Sequence, residues 1–422
     1  MSHYLYRCFS CQKEYAALDI EKNRHYLCPS CGRWEARRPL RGVLWIIYDY
    51  HQIHRQITVQ DFKRFPIGQP WYYPHLWPLH WNSQKNDPAW EGISAAVYPR
   101  LALPDNLLGQ IQVEGNNFFY LDDTRNPTFS YKDRASILVA AKAMQLGITK
   151  IAAASTGNAG SSLAGICARL GLQCSIWVPE TIPENKRLQI QAYGADIHLV
   201  KGDYDQVFDV CLEISEQMNW YNRNTAYNPL TVEGKKSAAY DLFIAFGAQI
   251  PDVILVPVGD GVIISGIYKG FWELKQLGWI EKFPRLIAVQ AAGSDALVRY
   301  LSENEFTYSP AKTIADSICA GAPRNLMMAA QAVKETGGFA IRVSDQEILQ
   351  AQQMLARQSG NLVEPAAAAT LAGYLKAQVK LSGKILLLFT GLGLKDISSL
   401  HSWNKPLGAR SAAEWKEYYR IK

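Results

Sequence analysis

The sequence lacks any long run of charge of one sign, although its 422 residues include 44 Lys and Arg against 38 Asp and Glu. The formal net charge of +6 is spread along the chain. Nucleic-acid-binding proteins concentrate basic residues in a patch or stripe, so we expect no nucleic-acid partner. Internal repeats and low-complexity segments are also absent, which argues against a repeat architecture.

Long apolar segments are absent as well. The first residues, MSHYLYRCFSCQKEY, contain no apolar core of the kind that a secretory signal requires. The longest charge-free stretch, Ile151 to Ala168, is broken by Ser, Thr, Gly and Asn, so we interpret it as a strand, a loop and a helix rather than a membrane span. We therefore expect a cytoplasmic protein with no membrane partner, whose 48% hydrophobic residues bury a core divided over two or three lobes.

The eight cysteines fall into two groups. Four of them form the pattern C-x2-C-x16-C-x2-C: Cys8, Cys11, Cys28 and Cys31. Two such pairs present four thiolates that can surround one tetrahedral zinc ion, and this zinc would be structural because no coordination position stays open. A reduced, metal-free module or a disulfide pair is the alternative. The other four cysteines are scattered in apolar surroundings, which is typical of core residues in a reducing compartment.

Apolar strand patterns alternate with helical patterns from Asp133 onward. Strands are predicted at ITKIAAAS, CSIWVPE, ADIHLV, DVILVPVG, RLIAVQAA and KILLLFTG. Apolar strands separated by helices indicate parallel sheets covered on both faces, so the fold class is α/β.

Ser344 and Glu347 predict a capping box at the start of an amphipathic helix that ends near Gly360. The segment from Trp71 to Trp81 has no regular period and predicts an irregular packed arm or, alternatively, the lining of a ligand cleft.

Two glycine-containing loops each follow a predicted strand and precede a predicted helix. They are STGNAGSS, residues 155–162, and PVGDGVII, residues 257–264. Free backbone N–H groups and the helix dipole favour an anion at such a turn, although glycine there is also ordinary turn chemistry. Neither loop matches GxGxxG or a Walker loop, which argues against dinucleotide and ATP binding.

Lys132 stands between aromatic and hydroxyl residues in PTFSYKDRAS, at the predicted start of a helix. Desolvation disfavours an ammonium ion, so a lysine in this setting is a nucleophilic amine. Together with Asn158 on a tight turn and a late strand that ends in TGLG, this lysine indicates pyridoxal phosphate bound as a Schiff base. The cofactor would supply an electron sink.

Six segments occur in the order found in threonine synthases: NPTFSYKDR, STGNAGSS, VEGKK, PVGDG, LVEPAAAA and LLLFTGLGLKD. From Tyr6 to Asp396 the sequence resembles this family, within the fold-type II (tryptophan synthase β-like) pyridoxal-phosphate enzymes, some of which carry a similar zinc-ribbon-like head. The resemblance implies two parallel-sheet lobes and, by family habit, a homodimer. The implied parts are a zinc-ribbon-like module at 1–40, a large cofactor-binding domain at 41–134 and 229–422, and a smaller mobile α/β domain at 135–228.

The resemblance also implies roles for individual residues. Lys132 would hold the cofactor, in a motif where Tyr131 replaces the family's phenylalanine. Asn158 is similar to the asparagine that hydrogen-bonds the cofactor's phenolic oxygen, and Thr390 resembles the hydroxyl residue that faces the pyridine nitrogen. A neutral hydroxyl there suits elimination or replacement over transamination. The loop expected to bind the cofactor phosphate consists of Gly259, Asp260, Gly261, Val262 and Ile263.

The phosphate loop departs from the family pattern at Asp260. At roughly 5 Å and an effective dielectric near 20, a carboxylate would repel each unit of phosphate charge by about 3 kcal/mol. We therefore expect Asp260 to point away from the phosphate or to pair with a cation.

The positions expected to bind the substrate depart further from the family pattern. Thr231 occupies the position at which many threonine synthases have a substrate-binding arginine, and a hydroxyl lacks the bidentate fork of a guanidinium. GISAAVYPR stands where the family has G-x-T-P. Ser155, Thr156 and Lys186 are candidate substrate contacts, with an exposed helix lysine as the alternative for Lys186.

The resemblance implies a pyridoxal-phosphate-dependent elimination or replacement on an amino acid, with conversion of O-phospho-L-homoserine and water to L-threonine and phosphate as the leading activity. Alternatives of the same chemistry are a serine or threonine dehydratase, a cysteate-synthase-like enzyme and a specialised-metabolism lyase. A non-catalytic binding protein on this scaffold is a further alternative, against which the retention of Lys132, Asn158 and Thr390 argues. A zinc-ribbon nucleic-acid protein would need a basic stripe, which the sequence lacks.

Overall fold

Three β-sheets organise the chain in the computed structural model, which describes residues 3–65, 67, 74–79, 103–105, 107–155, 157–377, 381–405 and 407–420. Thr156 and the segment GISAAVYPR lie outside these residues, and of the segment from Trp71 to Trp81 only residues 74–79 are described. Within the described residues, no helix is long and apolar enough to cross a membrane.

The smallest sheet is antiparallel and lies at the N-terminus. Its strands, in spatial order, are Glu14–Ala16, Tyr4–Cys8 and Leu44–Tyr48. Alternate residues of Tyr4–Cys8 are buried, as expected for a sheet with one covered face. The predicted domain boundaries stay predictions, and the third strand of this sheet lies beyond residue 40.

The largest sheet has six strands, five of them parallel. In spatial order they are Phe339–Val343, Arg285–Ala291, Val253–Pro257, Ile385–Phe389, Asn116–Asp122 and the antiparallel edge strand Leu108–Val113. Val253–Pro257 and Ile385–Phe389 are buried at every residue, which explains their unbroken apolar sequence. Because parallel strands share a direction, their carboxyl ends meet at one edge of the sheet, where ligand sites form in α/β proteins.

The third sheet is fully parallel and has four strands. In spatial order they are Asp196–Val200, Gln173–Pro179, Lys150–Ala154 and Tyr221–Asn222. Two parallel sheets and the helices around them confirm the α/β class, and every strand predicted from an apolar run is present.

The helices cover these sheets. Their bounds are Ala17–Lys22, Tyr50–Gln56, Val59–Lys63, Asp133–Gln145, Asn158–Leu170, Glu184–Ala192, Tyr204–Gln217, Leu230–Lys235, Ser237–Phe246, Val262–Gln276, Ala296–Glu303, Leu326–Glu335, Asp345–Met354, Pro365–Lys376, Ile397–His401 and Ala412–Tyr418. The capping box of Ser344 and Glu347 is confirmed, since each side chain accepts from the other residue's backbone N–H. That helix continues as a π-helical turn to Ser359, and Gly360 caps it at φ +72°.

A buried ion network joins the N-terminal segment to the helices of the large sheet. Glu273 lies 2.9 Å from Nζ of Lys236 and 2.6 Å from Nζ of Lys269, and all three side chains are at most 1% exposed. Glu233 pairs with both lysines as well. The hydroxyl of Tyr50 donates to Glu273 at 3.0 Å. Each buried charge therefore has a partner of opposite sign, which offsets the cost of removing these groups from water.

Replacing Glu273 by Gln should destabilise the fold strongly, because two buried ammonium groups would lose a carboxylate that each contacts. We expect Glu273→Gln to lower the free energy of unfolding by about 3–5 kcal/mol, measured by urea denaturation. The matched control is Glu184→Gln, since Glu184 is 75% exposed and lies 3.8 Å from Arg187. The control should cost less than about 1 kcal/mol. Equal losses in the two variants would contradict this interpretation.

Candidate active site and cysteine cluster

Lys132 lies where two distant chain segments are tied together at the carboxyl edge of the large sheet. The backbone N–H of Tyr131 donates to the carbonyl of Thr390 at 2.9 Å, and that of Leu392 donates to the carbonyl of Phe129 at 3.1 Å. These bonds hold the loop before Lys132 against the end of a central strand. The helix that follows Lys132 begins at the next residue.

The turn before Lys132 is held by polar contacts. Phe129 adopts φ +67°, a conformation that is rare for residues other than glycine. The carboxylate of Asp133 accepts from the N–H of Thr128 at 2.7 Å and from its hydroxyl at 2.5 Å. Nζ of Lys395 donates to the carbonyl of Thr128 at 2.8 Å. The strained turn and its contacts fix where the Lys132 side chain leaves the backbone.

The environment of Lys132 favours a neutral amine. Lys132 lines a cleft, and no ion pair of its ammonium is found in the described part of the chain. Burial first, and then nearby Arg223, lower the pKa of Lys132 to about 8, whereas Asp260 and Glu364 oppose the shift. About a tenth of this amine is therefore unprotonated at pH 7, far more than for a lysine with an ordinary pKa.

Asn158 lies at the start of the helix Asn158–Leu170 and lines the same cleft. Its amide Nδ2 donates to Glu364 at 2.6 Å and to the hydroxyl of Ser317 at 3.0 Å, while its Oδ1 is buried without a partner. An amide has two hydrogens, and both already face acceptors. A ligand oxygen that accepts from Asn158 would have to replace Ser317 or Glu364.

The loop from Gly259 to Ile263 is distant from Lys132 in sequence but lines the same cavity. Gly261, at φ +84°, caps the helix Val262–Gln276. A Cβ at Gly259 would lie 2.8 Å from Cα of Ile318, so the loop needs glycine there. The free N–H groups at this helix N-terminus form a cradle suited to a phosphate.

Asp260 is held by two donors rather than by a cation. Its carboxylate accepts from the hydroxyl of Tyr204 at 2.9 Å and from the backbone N–H of Arg324 at 3.2 Å. No ion pair of Asp260 is found among the described residues. The expected cation pairing is therefore not what holds this carboxylate, and its orientation relative to a phosphate stays a prediction.

Unpartnered polar atoms next to this loop provide a test of whether a cofactor fits. Asn325 is 2% exposed, and both its Oδ1 and its Nδ2 are buried without a partner. Its backbone carbonyl lies 3.1 Å from the place where Gly261 would carry a Cβ. A buried amide without partners is costly in a protein core. The cradle, the amine of Lys132 and this amide are together consistent with a phosphorylated aldehyde cofactor.

The other predicted site residues take different positions. Ser155 lines the cleft, and its hydroxyl accepts from the N–H groups of Gly157 and Gly160 at 2.9 and 2.7 Å, so it caps the following helix. Thr390 is 8% exposed and is tied to Tyr131, but it is not among the residues that line the described cleft.

Lys186 is fully buried, so the alternative that it is an exposed helix lysine is wrong. Its Nζ lies 2.7 Å from Asp316 and 3.0 Å from Glu364. Burial alone would lower the pKa of Lys186, but the two carboxylates raise it above its ordinary value. Its positive charge is thus already compensated within the protein.

Sequence reasoning assigned no role to Glu364, Tyr204 or Lys235. Glu364 lies in the quoted segment LVEPAAAA, contacts both Asn158 and Lys186, and is 1% exposed. Tyr204 and Lys235 line the cleft with Lys132. The sequence offered two signals, Glu364 within an otherwise apolar segment and Lys235 within VEGKK. Only tertiary packing brings these residues to the cleft.

The four N-terminal cysteines converge. Their four sulfur atoms all lie within 4.8 Å of one another, from Cys8, Cys11, Cys28 and Cys31. All four are free cysteines, and the sulfurs of Cys8 and Cys31 are 3.4 Å apart. The backbone N–H groups of Ser10 and Cys11 point at the sulfur of Cys8, as in a turn that presents thiolates to a metal.

Comparisons with known proteins agree with this geometry. Residues 105–391 match the family model described as pyridoxal-phosphate dependent enzyme. The chain is 33% identical over 400 residues to a threonine synthase of Methanocaldococcus jannaschii, covering 93% of each chain. It is 31% identical over 401 residues to a threonine synthase of Methanosarcina acetivorans, covering 93% of this chain and 92% of the other.

Solved structures share the fold. An aspartate racemase dependent on pyridoxal 5'-phosphate superposes with a TM-score of 0.62 at 21% identity, covering 74% of this chain and 96% of the racemase. A serine racemase from maize superposes with a TM-score of 0.59 at 18% identity, covering 79% of this chain and 96% of the racemase. The resemblance to threonine synthases and the fold-type II architecture are thereby confirmed. This chain belongs to the pyridoxal-phosphate dependent enzymes and is a threonine synthase-like lyase among them.

Proposed function

We propose that the protein converts O-phospho-L-homoserine and water to L-threonine and phosphate. The observation that carries this proposal is the cleft itself, in which the amine of Lys132 shares one cavity with a glycine cradle at the start of the helix Val262–Gln276. The two archaeal relatives named threonine synthase, aligned over nearly the whole chain, support this choice of substrate.

In this proposal the chain's own residues hold pyridoxal phosphate. Nζ of Lys132 would hold its aldehyde, and the N–H groups of residues 259–263 would hold its phosphate. Asn158 and Thr390 would be its polar partners, and the neutral hydroxyl of Thr390 would favour elimination and replacement over transamination. When bound, the cofactor supplies an electron sink for carbanion chemistry.

Lys132 also serves as the proton carrier. A pKa near 8 allows its Nζ to accept and return a proton at similar cost near neutral pH. Asp260, hydrogen-bonded to Tyr204, lies in the same cleft and stabilises a positive charge on that nitrogen. Lys132, Tyr204 and Asp260 are each partly buried in the cleft, which limits the access of water to reactive species.

A second candidate is a dehydratase or another replacement enzyme of the same fold, and one observation favours it. Thr231 is fully buried, and its hydroxyl donates to the carbonyl of Asn228 at 2.7 Å. It therefore offers a substrate phosphate neither a charge nor a free donor. A substrate without phosphate would not need an arginine at this position.

The two candidates differ in their products. We expect the holoprotein to release phosphate and form threonine from O-phospho-L-homoserine when products are identified by mass spectrometry. Serine, threonine and phosphoserine are incubated in parallel as controls. Ammonia and a keto acid from serine or threonine, without phosphate release from phosphohomoserine, would assign the dehydratase activity instead.

Reduction with borohydride should fix the cofactor to Lys132, and peptide mass spectrometry identifies the modified residue. Because the amine must be neutral to react with an aldehyde, the rate of cofactor attachment to the apoprotein should rise about tenfold per pH unit below 8 and level off above it. Lys132→Ala should abolish the labelling, whereas Lys201→Ala, which removes an exposed lysine, should leave it unchanged. Labelling that persists in Lys132→Ala would refute this assignment.

We also propose that Cys8, Cys11, Cys28 and Cys31 hold a structural zinc ion. The convergence of their four sulfurs supports a tetrahedral site, and four protein ligands leave no open position for catalysis.

Elemental analysis of the protein purified from zinc-supplemented medium should find about one zinc per chain. Replacing Cys11 and Cys31 by Ser should remove the metal and lower the melting temperature, because binding of a structural zinc stabilises the folded state. Cys174→Ser is the matched control, since this free cysteine lies in another part of the chain. Zinc that is absent from the wild type, or retained in the double variant, would argue for a metal-free module.

A further inference from the structure

Lys235 is a buried lysine that reaches the cleft of Lys132. It ends the helix Leu230–Lys235, is 1% exposed and lines the cavity together with Lys132 and the loop from Gly259. The hydroxyl of Tyr131 donates to its carbonyl at 3.0 Å, which ties its backbone to the residue before Lys132.

Glycines on both sides allow the helix of Lys235 to approach this closely. A Cβ at Gly234 would lie 2.3 Å from the carbonyl oxygen of Arg134, at the start of the Lys132 helix. A Cβ at Gly266 would lie 2.6 Å from Cβ of Lys235, on the helix that follows the glycine cradle. Lys235 therefore packs between the N-terminal ends of the helices Asp133–Gln145 and Val262–Gln276, next to the cleft.

The ammonium of Lys235 has no counter-ion in the described part of the chain. Burial lowers the pKa of Lys235 well below its ordinary value, and Arg223 and Lys132 lower it further, while Asp260 opposes them. A lysine is rarely buried without a carboxylate unless something else supplies the negative charge. Lys236, the next residue, differs in having carboxylate partners, because it contacts two buried glutamates.

Arg223 is a second buried cation without a carboxylate partner among the described residues. It is fully buried, its Nη1 donates to the hydroxyl of Thr225 at 3.2 Å, and its Nη2 is buried without a partner. Thr225 lines the cleft, so Arg223 lies directly behind the cavity wall. Burial lowers the pKa of Arg223 to about 10.

Another cation near the site, Lys186, is not available for an anion. Lys186 is neutralised by Asp316 and Glu364 at 2.7 and 3.0 Å. Thr231 precedes Lys235 by one helical turn and carries no charge. Lys132 and Lys235, which line the cleft, and Arg223 behind it are therefore basic groups without a carboxylate partner in the described part of the chain.

We propose that Lys235, backed by Arg223, forms an anion subsite that binds a phosphate or a similarly charged tetrahedral group in the cleft. Lys235 supplies the direct contact that Thr231 cannot make, and a bound anion favours its ammonium form, which burial otherwise disfavours. Arg223 adds to the positive potential behind Thr225. The subsite also offsets the negative charge of Asp260 at the edge of the glycine cradle. This inference deepens the proposed function and rests on it for the identity of the substrate.

The phosphate could be that of the cofactor or that of the substrate, and two binding measurements separate these sources. The first compares the dissociation constants of pyridoxal phosphate and of pyridoxal, which lacks the phosphate. The second measures binding of inorganic phosphate to the holoprotein by calorimetry. Each is made on the wild type, on Lys235→Gln, on Lys235→Arg and on Lys201→Gln, the exposed lysine control.

Loss of a charged hydrogen bond should weaken anion binding at least about tenfold in Lys235→Gln. Lys235→Arg and Lys201→Gln should stay within about threefold of the wild type. A loss confined to pyridoxal phosphate, with pyridoxal unaffected, assigns the subsite to the cofactor phosphate. A loss confined to inorganic phosphate on the holoprotein assigns it to the substrate. Unchanged constants in both measurements would overturn the proposal.

A structural measurement covers the case in which Lys235→Gln does not fold. Crystals of the wild-type holoprotein soaked in tungstate should show anomalous density beside Nζ of Lys235, and tungstate bound only elsewhere would overturn the proposal. Neither approach involves turnover. A failure of the threonine synthase activity would therefore appear in the product assay alone and leave the anion measurements intact.

Discussion

The site depends on backbone hydrogen bonds that join segments far apart in sequence. Tyr131 and Thr390 are bonded through their backbones, and Glu364 donates its N–H to the carbonyl of Gly391 at 2.9 Å. Three loops are thereby fastened to one another at the carboxyl edge of the large sheet. The lysine, the glutamate that orients Asn158 and the threonine hydroxyl share one rigid frame, so their relative positions follow from sheet geometry rather than from loop flexibility.

Much of the fold could be predicted because its signals are local. Unbroken apolar runs such as Ile385–Phe389 are buried on both faces, and the capping box at Ser344 depends on residues three apart in sequence. Lys132 stood out for the same reason, since its aromatic and hydroxyl neighbours adjoin it in the chain. The interpretation of Lys186 as a possible exposed helix lysine failed because helix position says nothing about what packs against that helix. Its carboxylate partners, Asp316 and Glu364, lie far along the chain from it.

The charge distribution around the cleft explains why the substrate side was the hardest part to predict. Whether a lysine is free or neutralised depends on partners that only tertiary structure supplies. Lys235 and Lys236 are adjacent and similarly buried, yet the second contacts two glutamates and the first faces the cavity. The absence of the family's arginine at Thr231 was visible in the sequence. The position of Arg223 and Lys235 at the cleft was not, because only tertiary packing brings these two residues to it.

Two of the tyrosines that reach the buried ion network come from the N-terminal segment. Tyr48 donates to Glu233 at 2.5 Å, and Tyr50 donates to Glu273. Tyr48 belongs to the same small sheet as Cys8, while Glu233 lies two residues before Lys235. A chain shortened to begin after Tyr50 would remove one hydrogen-bond donor from each of these two buried carboxylates. The N-terminal segment that carries the cysteines is thus part of the packed core, and its removal would disturb the buried ion network next to Lys235.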